Sequence, residues 1–156
     1  MNKIFFPVNV GNYHWFLIVV SMEEKTIICY DSMKGGRSRR YFIDLILAWL
    51  QDESMCTDAD ERFPKMPFEF FREDWNIVEN AECPYQTNGF DCAILMITFT
   101  DLISLDLPLL FSQGDCIHLR RRIIQECIDF AKFDSNRVPI ENVTVFQNDV
   151  DIDTDF

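Results

Sequence analysis

The sequence predicts an α+β fold. Residues 14–30 read as a hairpin of apolar strands, later segments carry apolar residues at helical spacing, and the two kinds of segment do not alternate as regular βαβ units. At 156 residues the length is that of one domain. A domain of this size buries roughly 68–70% of the surface its unfolded chain exposes, so its core needs neither a metal nor a disulfide.

Ile4 to Val8 is a short strand that Pro7, which has no N–H to donate, pushes towards a sheet edge. His14 to Val20 is aromatic and β-branched with no polar alternation, the pattern of a central strand covered on both faces. Met22-Glu23-Glu24-Lys25 is a polar turn, and Thr26 to Tyr30 is the returning strand. Gly35-Gly36-Arg37-Ser38 breaks the chain before a helix from Arg39 to Gln51, whose apolar residues fall at 42, 43, 46, 49 and 50. The acidic stretch 52–74, with Pro64 and Pro67, reads as a long irregular excursion, and Asn76 to Glu79 as another short strand. After the Asn88-Gly89 turn, an almost wholly apolar helix begins near Asp91 and is expected to be buried all round. The last helix runs from about Asp115, its expected cap, to Lys132.

Composition narrows the function. Apolar residues make up 48% and charged residues 26%, which is globular rather than disordered composition. No run of about 18 apolar residues occurs, so no membrane span is expected. The start, with Pro7 and Asn9 interrupting a brief apolar stretch, makes a poor secretory signal. The expected location is therefore intracellular, nucleus or cytoplasm, with the six cysteines reduced. A net charge of −12 argues against nucleic-acid binding through phosphate neutralisation. That deficit lies entirely in 51–82 and 134–156; the stretches 1–50 and 83–133 together carry ten basic and ten acidic residues.

One group of residues carries chemistry. His14 opens the strongest strand and Asp31 closes the returning one, so antiparallel pairing can make them neighbours. By itself such a pair is more often a hydrogen-bonded structural histidine than a catalytic one. Gln86-Thr87-Asn88-Gly89-Phe90-Asp91-Cys92-Ala93 then places a cysteine in the first turn of a helix, where the helix dipole favours a thiolate. A nearby histidine would activate that thiol, with Asp31 orienting the imidazole. Gln86 is an amide donor suited to an oxyanion hole, with the Cys92 N–H as its partner. The bland alternative for Cys92 is a small buried hydrophobe.

At these residues the sequence resembles the Ulp/SENP family of ubiquitin-like-protein-specific, SUMO-type cysteine peptidases. Pro84-Tyr85-Gln86-Thr87-Asn88-Gly89-Phe90-Asp91-Cys92 is similar to the family's active-site signature. Three further blocks agree in order: Pro7-Val8-Asn9 leading to His14-Trp15, then Tyr30-Asp31-Ser32, then Phe111-Ser112-Gln113 followed by Asp115 and Arg120-Arg121-Arg122-Ile123. The resemblance implies a papain-like cysteine peptidase fold, a central mixed sheet flanked by helices. It further implies His14 as base, Asp31 as its orienter, Cys92 as nucleophile and Gln86 as oxyanion donor. Trp15 would cover the channel that admits the modifier's Gly-Gly tail. Ala93 stands where the family usually has glycine. The resemblance covers 1–133, the later portion of the family domain, so the family's usual N-terminal portion is expected to be absent, and 134–156 is expected to be an acidic extension.

The implied activity is a peptidase or isopeptidase acting after the Gly-Gly of a ubiquitin-like modifier, with SUMO expected and a Nedd-type modifier next. Its partners would be that modifier and its conjugates, with no nucleic acid and no membrane. A catalytically impaired fragment that binds a modifier is the reading from a different class, and an acyltransferase on the same triad ranks last.

No cofactor is expected. Cys29, Cys56, Cys83, Cys116 and Cys127 lack C-x-x-C spacing, which argues against zinc. The alternating Asp149, Asp151, Asp153 and Asp155 lack the glycine and distal glutamate of a calcium loop. Val150-Asp151-Ile152-Asp153 could add as a strand to a sheet edge, but an acidic disordered tail is the expectation. His118 is expected at the surface, and Arg120 to Arg122 to span a solvated face and an acidic partner.

Overall fold

A computed structural model describes residues 3–33, 35, 38–55 and 68–134. Cys56 and the tail 135–156, with its aspartates and the Val150–Asp153 segment, lie outside the described residues. The chain divides into two compact units, 1–120 and 121–156. In the first, four strands form one sheet in the order β1 (Lys3–Val10), β2 (His14–Ser21), β3 (Thr26–Tyr30) and β4 (Asn76–Val78). The first three are antiparallel and β4 runs parallel to β3, so the sheet is mixed, as expected.

β2 shows why the expected central strand carries no polar alternation. Phe16, Ile18 and Val20 pack on one face with Ile43, Ile46, Leu47 and Leu50 of helix α1 (Arg40–Met55). Leu17 and Val19 pack on the other face with Leu95, Met96 and Phe99 of helix α2 (Cys92–Ser104). Side chains alternate across a strand, so covering both faces with helices makes every position apolar. β1 lies at the sheet edge, the position towards which Pro7 was expected to push it.

The β1–β2 connection is tight. Gly11 and Asn12 both sit at positive φ, and a Cβ on Gly11 would lie 2.4 Å from the Tyr13 ring. The positive φ favours glycine at position 11, and any side chain there would have to displace the exposed Tyr13 ring. Asn9 holds the turn: its Oδ1 accepts from the Asn12 N–H at 3.0 Å and its Nδ2 donates to the His14 carbonyl at 3.3 Å.

Three expectations are corrected. First, α1 continues to Met55, because Asp52 and Glu53 face solvent and acidity alone does not end a helix. The stretch expected to be irregular is also ordered at its far end: Phe68 and Phe70 pack against the α1-side core, ahead of a 3-10 turn at Arg72–Asp74. Second, α2 is not buried all round, since Ile97 is exposed while Leu95, Met96, Thr98 and Phe99 are covered. The helix stops in a Schellman arrangement, with Leu107 N–H to Leu102 O at 2.9 Å, Asp106 N–H to Ile103 O at 3.3 Å and Asp106 at positive φ.

Third, Asp115 is not the cap of the last helix, α3 (Cys116–Asp134). Its carboxylate reaches back to accept from the Ser112 N–H at 2.8 Å and hydroxyl at 3.0 Å, closing the 3-10 turn Gln113–Asp115. In the second unit, Arg122–Glu126 and Gln125–Asp129 pairs line α3 at helical spacing. No helix among the described residues is long and apolar enough to cross a membrane.

Candidate active site

The hairpin register decides the first contact. β2 begins at His14 and β3 ends at Tyr30, so Asp31, one residue past the strand, lies at the same end of the sheet. His14 Nε2 is 2.7 Å from Asp31 Oδ1, and the histidine is 1% exposed. Asp31 Oδ1 also accepts from the Met33 N–H at 2.9 Å. Arg39 Nε and Nη2 both lie 2.8 Å from Asp31 Oδ2. His14 Nδ1 is buried and has no hydrogen-bond partner among the described residues. With Nε2 committed to a carboxylate, Nδ1 is the ring's free lone pair in the neutral tautomer.

Cys92 is the first residue of α2, and its sulfur is 3.9 Å from the carbonyl of Tyr13, the residue before His14. The N–H groups of a first helical turn have no intrahelical acceptor, and the helix dipole makes that end electropositive. Asp91 precedes the helix but does not cap it. Its carboxylate turns aside to accept from Arg120 Nη2 at 2.6 Å, Asn88 Nδ2 at 2.7 Å and Gln113 Nε2 at 3.2 Å. The first-turn donors therefore remain for the site. Burial would push the Asp91 carboxyl up, but these three hydrogen bonds and the Arg120 charge hold it below the usual carboxylate range.

Gln86 is 7% exposed and held at three points. Its N–H donates to the Ser32 carbonyl at 2.8 Å, its Oε1 accepts from the Ser32 hydroxyl at 2.7 Å, and its Nε2 donates to the Asn88 carbonyl at 2.7 Å. The Oε1 bond fixes the amide orientation, and one of the two Nε2 hydrogens is left over. Asn88 Oδ1 accepts from the N–H groups of Phe90 and Asp91, both at 3.1 Å, which shapes the turn into α2. Trp15 is half-buried against the α2-side core.

The structure thus brings His14 and Asp31 into direct contact, sets Cys92 beside the residue preceding His14, and fixes Gln86 two residues from Asn88. Four supporting residues carried no functional reading in the sequence: Arg39, Ser32, Asn88 and Gln113. Ser32, Asn88 and Gln113 sit inside motif blocks, which was their only signal. Arg39 had none, because it reads as the first residue of a helix. Among the expected surface residues, His118 is exposed, and Arg120 meets its acidic partner in Asp91 while lying 6.0 Å over the Phe90 ring.

The other thiols differ in setting. Burial, then the Asp31 charge, pushes Cys29 up to about 12. The same two causes push Cys83 up to about 11, and burial with the Asp91 charge takes Cys116 to about 11. Among the described residues no cluster of His, Cys, Asp and Glu could hold a metal ion.

Comparison with known proteins bears on this constellation. The family model described as the Ulp1 protease family, C-terminal catalytic domain, matches residues 1–138. Ubiquitin-like-specific protease 1 of Saccharomyces cerevisiae is 31% identical over 123 residues, which are 79% of this chain and 18% of that protein. Human sentrin-specific protease 2 is 28% identical over 117 residues, 74% of this chain and 18% of that protein. A solved SUMO protease Ulp1, its catalytic cysteine oxidised to a sulfonic acid, superposes with a TM-score of 0.65 at 31% identity, over 83% of this chain and 54% of that one. The C-terminal Ulp1 protease domain in complex with Smt3, the yeast ortholog of SUMO, superposes at 0.59 with 32% identity, over 76% and 48%. These neighbours bear out the papain-like α+β expectation, and the chain spans about half the length of the solved domains and under a fifth of the full proteins. A mixed sheet between helices, the Gln-to-Cys motif at the start of α2, and a family match over residues 1–138 lead to one conclusion: the chain belongs to the Ulp1 protease family.

Proposed function

We propose that the chain is a thiol peptidase domain that cleaves after the C-terminal Gly-Gly of a SUMO-type modifier, as a peptidase or an isopeptidase. One observation carries this reading. His14 is buried with Nε2 bound to Asp31 at 2.7 Å and Nδ1 unpartnered, at the sheet end where Cys92 opens α2. A structural histidine ordinarily satisfies both nitrogens; a general base needs one lone pair left open.

In this mechanism His14 Nδ1 takes the Cys92 thiol proton, and Asp31 orients the ring and stabilises the resulting imidazolium. The thiolate attacks the carbonyl carbon of the terminal glycine. The oxyanion receives hydrogen bonds from the Cys92 N–H and the remaining Gln86 Nε2 hydrogen. The imidazolium returns its proton to the leaving amine as the C–N bond breaks, leaving a thioester. Water, deprotonated by His14, then attacks that thioester, and the carboxylate and the thiol are released. No cofactor enters any step. The substrate assignment leans on the SUMO specificity in the relatives' names and on the Smt3 complex. Action on conjugates inside the cell, in nucleus or cytoplasm, belongs to the same proposal.

The test offers wild type and Cys92→Ser to SUMO carrying a C-terminal thiol-reactive warhead, with Nedd-type and ubiquitin versions alongside. Labelling of wild type only, and by the SUMO probe first, supports the proposal. Preference for the Nedd-type probe reassigns the substrate. Binding without labelling sinks the enzyme reading and makes the domain a modifier-binding module.

A further inference from the structure

Asp31 has two oxygens and both are fully used. Oδ1 accepts from His14 Nε2 at 2.7 Å and the Met33 N–H at 2.9 Å, and Oδ2 sits 2.8 Å from Arg39 Nε and 2.8 Å from Nη2. A carboxylate offers about four acceptor sites, so four donors leave it no freedom to turn. Arg39 is itself 9% exposed, and its guanidinium carbon lies 4.6 Å over the Phe16 ring. Phe16 also stacks on His14, with ring centroids 6.2 Å apart. The Arg39 backbone is anchored as well, because its carbonyl accepts from the Phe42 and Ile43 N–H groups at the start of α1. Its neighbours turn outward instead: Ser38 bonds Glu79, and Arg40 pairs with Asp44. Of these three residues only Arg39 is drawn into the site.

We propose that Arg39 is a positioning residue for the reaction, clamping the carboxylate that orients His14 and balancing its buried charge. The inference rests on the triad reading above and deepens it. A desolvated carboxylate needs a charged partner. If the partner were the imidazolium alone, His14 would be held in its charged form and would be slow to release its proton to the leaving amine. Arg39 supplies that partner permanently, since a guanidinium does not lose its proton. His14 is then free to take up and give back a proton while the group of Asp31, Arg39, Cys92 and His14 stays neutral overall. Among the described residues, Asp31 after β3 bonds His14, Arg39 ahead of α1 bonds Asp31, and Cys92 opens α2 beside the Tyr13 carbonyl.

The experiment uses wild type, Arg39→Gln, Arg39→Lys and the outward-facing control Arg40→Gln. Cys92 alkylation by iodoacetamide is followed by peptide mass spectrometry from about pH 4 to about pH 10, normalised to folded protein by circular dichroism. Turnover of a SUMO C-terminal fluorogenic substrate gives kcat and KM separately. Arg39→Gln is expected to lower kcat roughly tenfold with KM within about twofold, because geometry at the base is lost while substrate contacts are not. Arg39→Lys restores only part of kcat, since one ammonium cannot replace two forked donors. Arg40→Gln matches wild type.

Arg39→Gln curves that superimpose on wild type overturn the inference, as does a lowered folded fraction with unchanged kcat per active thiol. If Arg39→Gln does not fold, Arg39→Lys decides: a kcat equal to wild type overturns the role, and a reduced kcat at unchanged KM supports it. Wild-type Cys92 that alkylates along the curve of an ordinary free thiol overturns the triad reading itself. A reactive thiolate at low pH, unchanged in Arg39→Gln, overturns only the part played by Arg39.

Discussion

At the scale of single residues, the site depends on side chains whose polar atoms are assigned one by one. Gln86 has its carbonyl oxygen held by Ser32 and one amide hydrogen by Asn88, so only one hydrogen points anywhere else. In the proposed mechanism, truncation in Gln86→Ala removes a donor that matters only when the oxyanion forms. We expect kcat to fall about 10²-fold with KM little changed, read from steady-state kinetics on a SUMO C-terminal substrate. Asp91 gives a second prediction, about pH. Hydrogen bonds from Arg120, Asn88 and Gln113 outweigh burial and hold its carboxyl below the ordinary range in the folded state. The unfolded chain therefore binds the proton more readily, and the stability this carboxylate contributes is present above the unfolded value of about 3.9 and lost as pH falls through the lower folded value. Asp91→Asn is expected to cost about 1.5–3 kcal/mol at neutral pH, with the gap to wild type closing below about pH 4. Urea denaturation midpoints at both pH values check it; a gap that widens in acid contradicts it.

At the scale of elements, two helices hold the sheet from opposite faces and each carries part of the site. α1 follows directly on Arg39 and buries Ile43, Leu47 and Leu50 against the even-numbered residues of β2. α2 presents Cys92 at its start and buries Leu95 and Phe99 against the odd-numbered ones. Packing in either helix thus sets the placement of a reacting or positioning group. Leu47 is fully buried, so Leu47→Ala should cost about 2–5 kcal/mol through lost transfer energy and a cavity. The check is chemical denaturation, and a loss under about 1 kcal/mol would mean that the face collapses around the gap. These elements were readable because periodicity is local: the apolar run of β2 and the helical spacing at 42, 43, 46, 49 and 50 each lie within a single element, although Trp49 is exposed. The end of α1 was not readable, because Asp52 and Glu53 on a solvated last turn look the same as a loop. Nor was the exposure of Ile97, which depends on what packs beside α2 rather than on its composition.

At the scale of the whole molecule, the thiols separate by environment. Cys29, Cys83 and Cys116 are pushed well above an ordinary thiol by burial and by the Asp31 or Asp91 charge, whereas Cys92 begins a helix and Cys127 is exposed. Brief treatment of native protein with iodoacetamide near neutral pH should label Cys92 and Cys127 while sparing Cys29, Cys83 and Cys116, with all six cysteines labelled after denaturation. Peptide mapping decides this, and labelling of Cys83 as early as Cys92 would contradict it. The same three-dimensional view shows how much was legible beforehand. The α+β class, the order of strands and helices, and the residues His14, Asp31, Gln86 and Cys92 could be named from the sequence, since strand pairing and motif spacing are written along the chain. The sequence could not reveal that Arg39 clamps Asp31, that Ser32 holds Gln86, or that Asp91 turns away from its own helix towards Arg120. Those contacts join residues 8, 54 and 29 positions apart through side chains alone, and side-chain pairing across such separations leaves no periodic trace. The sequence by itself determined which residues were available for the chemistry; only the tertiary structure decided which atoms of those residues were left free to do it, because a donor or acceptor is free only when no buried neighbour has taken it.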